Sequence, residues 1–240
     1  MENDRTKGLM LALATFVMWG VFPIFFKLIK DVDAVQILAH RVVWSFLLLL
    51  VFLCFTHRLK NVARLLSTPR IALTLLCTGL LISTNWGIYI YAVNSDQILA
   101  TSLGYFINPL FSVLLGALFL RERLSAAAKL SLLLAFAAIG VQIYALGRLP
   151  IISLVLPLSF AFYGLIRKKV KVPSFEGLFC ETTLMLLPAL AFLIYCALKG
   201  SGAFSLSTSG ALLFASGLIT ILPLLTFAVS TQYLPLSTIG

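Results

Sequence analysis

Thr101, Tyr105, Asn108 and Ser112 recur at spacings of four, three and four, so a helix would carry all four on one face. They stand inside a long apolar run, and Asn108 is followed by Pro109. That pair places an amide, and a carbonyl freed by the proline, well within the run. An earlier run presents Asn85, Trp86 and Tyr89, of which Asn85 and Tyr89 share a face. Hydroxyls, amides and aromatic rings bind a flat, partly apolar organic solute by stacking and hydrogen bonding. They supply no nucleophile–base pair. Polar groups inside apolar spans face a bundle interior or a water-filled cavity. The plainer alternative is hydrogen bonding between helices, worth about 1 kcal/mol or less per contact. Thr220, three residues before Pro223, is the candidate counterpart in the second half of the chain.

The ionisable candidates form a second group. His40 and Arg41 open one apolar run, with Trp44 and Ser45 a turn further on, and Lys27 closes the run before it. A cation near a helix end can snorkel to the membrane interface at little cost. The other reading makes His40, Arg41 and Lys27 an outer vestibule that receives an anionic portion of a solute or pairs with an acid. All eight acids fall in loops or at expected helix ends, and no carboxylate stands mid-span. This weakens a proton relay of the kind that uses an intramembrane acid, although Glu181 at the mouth of a span could serve. The four cysteines show no metal-ligand spacing and read as small apolar packers. No metal site and no cofactor is expected.

The elements that must position these residues follow from composition. Hydrophobic residues make up 61% of 240 positions, charged residues 11%, and mean hydropathy is +1.07. Soluble domains are nearer half apolar and a quarter charged. The apolar residues fall in stretches of about 20, the length that crosses a bilayer's hydrocarbon. Eight complete spans and the start of a ninth are expected, at roughly 8–29, 38–56, 71–93, 98–120, 127–146, 149–167, 178–198, 210–229 and 231 onward. The first has no small-residue cleavage site and is a span rather than a signal peptide. The formal charge of +10 does not point to nucleic acid, because the basic residues cluster at span ends where topology signals belong. The partners implied are membrane lipid and a small-molecule substrate.

Orientation follows from those clusters. Arg5, Lys7, Arg58, Lys60, Arg64, Arg70, Arg121, Arg123, Lys129, Arg167, Lys168, Lys169 and Lys171 fall on one side. Only Lys27, Lys30, Arg41, Arg148 and Lys199 fall on the other. The richer side is expected to be cytoplasmic, with the N-terminus. Residues Ala92 to Gly104 (AVNSDQILATSLG) resemble residues Ala228 to Gly240 (AVSTQYLPLSTIG) at an offset of 136, and Pro23–Lys27 weakly echoes Gly164–Lys168. The repeat junction is expected near Gly147–Pro150, giving a first repeat over 1–147 and a second over 148–240. Five spans per copy is odd, so the copies would enter the membrane from opposite sides and enclose a site near the midplane. Two full copies need roughly 280 residues, so the chain is expected to be truncated within helix nine.

Trp19-Gly with Pro23 and Lys27, Ala39-His-Arg-Val-Val-Trp-Ser45, Asn85-Trp, Ser102-Leu-Gly-Tyr-Phe-Ile-Asn-Pro-Leu110 and Arg-Glu-Arg-Leu124 together resemble the RarD-type proteins. These belong to the EamA group of the drug/metabolite transporter superfamily. The resemblance covers essentially the whole chain, and Ser102–Leu110 is its most specific segment. It implies an all-α polytopic permease of the bacterial inner membrane, with ten helices in two five-helix halves, associated by name with chloramphenicol sensitivity or resistance. The expected function is alternating-access transport of a small organic compound or metabolite, not enzyme catalysis. The rivals are a non-transporting membrane sensor or scaffold and, with less support, a membrane-embedded enzyme. The latter would need a nucleophile–base pair or metal ligands near the interface, whereas His40 and His57 are assigned to opposite faces. Substrate, direction, coupling ion and any homodimer are left open.

Overall fold

Apolar runs become helices where a side chain or proline can begin them. Asp33 accepts hydrogen bonds from the amides of Val35 and Gln36 at 2.9 and 3.2 Å, Ser125 accepts from Ala128 at 3.2 Å, and Pro69 occupies a first helical turn. Each satisfies, or removes, an amide that the helix itself leaves free. The structure, a computed structural model, describes residues 2–147 and 150–239. Among them the helices are α1 (Glu2–Lys27), α2 (Ala34–Phe55), α3 (Leu59–Leu66), α4 (Pro69–Asn94), α5 (Ile98–Leu120), α6 (Ala126–Leu146), α7 (Ile151–Lys169), α8 (Ser174–Leu198), α9 (Thr208–Tyr233) and α10 (Leu236–Ile239). Eight of them, all but α3 and α10, are long and apolar enough to cross a membrane. They are the eight spans read from hydropathy. No strand occurs among the described residues.

The differences lie at helix starts and in one loop. Residues 59–66, expected as a basic loop, form the short helix α3, which buries Val62 and exposes Lys60 and Arg64. Helices α2 and α8 begin at Ala34 and Ser174 rather than near 38 and 178. Pro23, Pro109, Pro157, Pro188 and Pro223 all lie inside helices, where neighbouring helices re-satisfy the backbone. Arg148 and Gly240, used above for the side count and the repeat, lie outside the described residues.

The packing has a regular plan. Helices α2 and α8 pack on each other; α2 also packs on α9, as α8 does on α4; and α1 packs on α9, as α7 does on α4. Exchanging α1 with α7, α2 with α8 and α4 with α9 leaves this plan unchanged. Helix α5 packs on α7, while α6 lies at the periphery against α5 with none of its described side chains buried. A Cβ at Gly217 would stand 2.7 Å from Trp44 Cβ, so only glycine lets α9 approach α2 so closely. There Ser45 Oγ donates to the Gly217 carbonyl at 3.3 Å. Small residues at such crossings are the usual means of helix association in lipid, where apolar burial alone gives no preference for protein over solvent. The last turn of α9 is held by Lys168, whose Nζ donates to the carbonyls of Thr231 and Leu234 at 3.2 and 2.5 Å.

Candidate functional site

The bundle forms a half-open cavity of about 600 Å³, within the 300–1,000 Å³ typical of small-molecule sites. Each wall comes from a different helix. Helix α1 contributes Phe16, Trp19 and Phe22; α4 contributes Asn85, Trp86 and Tyr89; α5 contributes Thr101, Ser102, Tyr105 and Asn108; Phe160 of α7 and Ile239 of α10 complete it. The aromatic walls are locked by edge-on contacts. Trp19 meets Phe160 at 5.1 Å, and Tyr89 meets Tyr105 at 5.5 Å, both T-shaped.

Polar groups in this lining are few and incompletely matched. Asn85 Nδ2 donates to the Leu156 carbonyl at 2.7 Å and to Ser159 Oγ at 3.0 Å, which fixes the side chain between α4 and α7. Its Oδ1 has no partner, nor has Asn108 Oδ1, nor the Trp19 indole Nε1. Thr101 Oγ1 donates to its own helix at Ile98, 2.7 Å away. A buried polar atom without a partner carries a desolvation cost of about 1–3 kcal/mol, and here two acceptors and a donor, each covered in this conformation, belong to residues that line one cavity. No lining side chain is charged.

The sequence-derived candidates sort as follows. Asn85, Trp86, Tyr89, Thr101, Tyr105 and Asn108 are brought together on the cavity wall. Ser112 is buried one turn further along α5 but does not line it. Thr220 also lies elsewhere: its Oγ1 accepts a 2.9 Å hydrogen bond from Arg41 Nε, and it lines a separate cavity of about 20 Å³ with Ser45, Ser83, Trp86 and Glu181. That space holds roughly one water.

The vestibule candidates divide. Lys27 is half exposed and lies 3.4 Å from the Asp96 carboxylate, an interfacial position. His40 is buried beside Phe204, ring centroids 5.6 Å apart. Arg41 does not snorkel; it is 1% exposed, and its guanidinium carbon sits 3.9 Å from the Trp86 ring centroid. Its Nη1 and Nη2 have no hydrogen-bond partner. The cause is the earlier start of α2, which sets Arg41 two turns inside the helix.

Sequence reasoning missed a buried ionic cluster. Arg167 stood among the loop cations and Glu181 at a helix end, yet Arg167 Nη1 lies 3.5 Å from Glu181 Oε1, with both side chains 3% exposed. Thr78 Oγ1 donates to the same Oε1 at 2.7 Å. Nearby, the buried Glu176 carboxylate is 3.8 Å from Arg58. Glu181 is thus a carboxylate within a span, contrary to expectation. The available signal was its apolar surroundings, Leu178-Phe-Cys before it and Leu184-Met-Leu soon after.

Comparison with known proteins agrees with this architecture. Residues 6–144 match the EamA-like transporter family. An uncharacterized transporter of Vibrio cholerae serotype O1 is 44% identical over the whole chain and 80% of the relative. Protein RarD of Escherichia coli K12 is 41% identical over the whole chain and 82% of that protein. The "Chloramphenicol-sensitive protein RarD" of Pseudomonas aeruginosa is 28% identical over 98% of the chain and 80% of that protein. No solved structure matches. The chain belongs to the EamA-like transporter family and is a membrane permease of its RarD type.

Proposed function

We propose that the protein carries a small organic solute across the bacterial inner membrane by alternating access between two halves of opposite orientation. The halves are residues 1–147 and 148–240, and the N-terminus is cytoplasmic. The packing plan supports this reading, since its pairs survive exchange of α1, α2 and α4 with α7, α8 and α9. Two related halves produce such a pattern, and where the halves are inverted the binding site lies near the midplane. The observation that carries the functional reading is the aromatic cavity with unpartnered Asn85 and Asn108 oxygens. Rings take the body of the solute, and amides fix its orientation. Asn85, Trp86, Tyr89, Thr101, Tyr105 and Asn108 form the binding surface. Arg41, held by Thr220, stands directly behind it.

The test compares cells producing the protein with cells producing Asn108→Ala. Small organic compounds retained and released are profiled by mass spectrometry, and chloramphenicol accumulation is followed alongside because one relative bears that drug in its name. At least one compound should change with the protein, and the change should shrink by up to about 10-fold in the variant, the loss expected for one hydrogen bond to a solute. Identical profiles for protein and variant would remove Asn108 from the site. A profile matching cells that lack the protein would sink the carrier reading. Orientation is checked by thiol labelling: cysteines placed near residues 35 and 170 should react from opposite sides, and reaction from one side would make the halves parallel copies.

A further inference from the structure

We propose that the solute is an organic anion, a carboxylate on a flat aromatic body, and that Arg41 receives its charge. The proposal rests on the cavity being the binding site and names the class of molecule that fills it.

The first ground is an unbalanced buried charge. Guanidinium remains charged at any physiological pH, and it presents five N–H donors. Thr220 accepts one of them, from Nε at 2.9 Å. The donors on Nη1 and Nη2 have no partner, and the residue is 1% exposed. The other charges buried among the described residues are handled differently. Arg167 has Glu181 at 3.5 Å, and Glu176 has Arg58 at 3.8 Å. Among the described residues Arg41 faces no acid, which leaves its buried charge open to a negative group carried by a solute.

Geometry supplies the second ground. The ring of Trp86 covers the guanidinium at 3.9 Å from its centroid, and Phe26 lies at 5.1 Å. Contact with a ring uses the face of the guanidinium and offsets part of the burial cost. The N–H donors lie in its plane, at the edge, and in that plane they match the two oxygens of a carboxylate. Trp86 is also a cavity wall, as is Phe22, whose ring is 6.0 Å from the guanidinium. Arg41 therefore stands one side chain away from the solute space. In this conformation the wall is closed. A carboxylate reaches the guanidinium when Trp86 turns or α1 parts from α4, a motion of the kind alternating access requires.

The third ground is the rest of the lining. It holds no acid that would attract an amine or other cation, and the guanidinium stacked on its Trp86 wall is positive. In a low-dielectric pocket that field favours anions and disfavours cations. Walls of Trp19, Phe22, Trp86 and Tyr89 suit an aromatic body better than a small inorganic ion.

The test uses the purified protein in detergent, in low-salt buffer near neutral pH, and three probes sharing one ring system. Indole-3-acetate is negative, indole-3-acetamide neutral and tryptamine positive. Binding is read by calorimetry, with thermal stability measured on the same samples. The acid should bind at least about 10-fold more tightly than the amide, and tryptamine most weakly. In Arg41→Gln the acid-to-amide ratio should collapse to near one, while Arg41→Lys keeps part of it. The probe series on the unaltered protein decides the question even where a variant does not fold. Equal binding of acid and amide, or a preference that survives in a folded Arg41→Gln, would overturn the anionic class while leaving the cavity as the site. Sodium chloride or sulfate that abolishes the advantage of the acid by occupying Arg41 at micromolar concentration would assign the guanidinium to an inorganic anion, which also overturns the proposal. Failure of all three probes to bind at millimolar concentration would remove the cavity reading together with it.

Discussion

Replacing Glu181 by alanine should be among the most damaging single changes in this fold. Arg167 and Glu181 are each 3% exposed at the side chain, with 3.5 Å between Nη1 and Oε1. Solvent screening therefore offers no relief of the kind that weakens surface pairs. Arg167 Nε is already without a hydrogen-bond partner, and Nη2 reaches only the Ser174 carbonyl at 3.5 Å. Removing the carboxylate strands the guanidinium between α7 and α8, and leaves Thr78 Oγ1 without its acceptor. Breaking one partner of a buried pair costs about 3–5 kcal/mol. Glu181→Gln keeps an acceptor for Thr78 but no charge, so its loss should be smaller, about 2 kcal/mol. The joint change Arg167→Met with Glu181→Met removes both charges and should be roughly neutral, because the desolvation cost of the two ions disappears with their attraction. Unfolding of the detergent-solubilised protein by titrated sodium dodecyl sulfate, followed by far-ultraviolet circular dichroism, measures all four proteins. A loss below about 1 kcal/mol for Glu181→Ala would mean that the pair behaves as a solvated one. A double variant as destabilised as Glu181→Ala would show that the stranded guanidinium is not what makes the single change costly. Either result refutes the reasoning.

Two further outcomes follow from geometry. Gly217→Ala places a methyl 2.7 Å from Trp44 Cβ and 3.0 Å from the Ser45 amide nitrogen, which forces α9 off α2; the same unfolding titration should show a loss of about 1–3 kcal/mol, and an unchanged midpoint would mean the crossing is loose. Lys27→Ala should cost well under 1 kcal/mol, because its Asp96 partner is 86% exposed and the pair is an interfacial one; a larger loss would place Lys27 in the buried machinery instead.

Hydropathy alone made the eight spans legible, since a run of about 20 apolar residues has few soluble alternatives. The wall formed by α4 and α5 was legible too, because polar residues spaced three and four apart in an apolar run must share a helix face. Asn85, Tyr89, Tyr105 and Asn108 meet around one cavity for that reason. The opposite wall was not. Phe16, Trp19, Phe22 and Phe160 are apolar residues among apolar residues, and nothing in their spacing separates a cavity wall from a lipid-facing or packed surface. Ser112 and Thr220 carry the right chemistry but sit a turn beyond the cavity or on a helix that contributes no side chain to its lining. Side-chain type gives the candidate; only packing gives its depth.

Depth is also where the charged residues were misplaced, and one cause accounts for the principal cases. Helices α2 and α8, which carry Arg41 and Glu181, are expected about four residues late, at the first sustained apolar stretch, while α7, which carries Arg167, runs two residues beyond its expected end. In α2 the true start is marked by Asp33, with Gln36 three residues on, the spacing of a capping box, and Asp33 does accept from the Gln36 amide. Beginning at Ala34, the helix carries Arg41 about 10 Å along its axis, where its side chain meets Trp86, Phe26 and Thr220 rather than headgroups. In α8 the start at Ser174 follows Pro173, and Glu181 moves inward by the same distance to meet Arg167 and Thr78. A shift of one turn at a cap therefore converts two interfacial charges into buried ones. In this membrane protein the cap residues, which touch no solute, decide whether an ionisable group is topology signal or machinery.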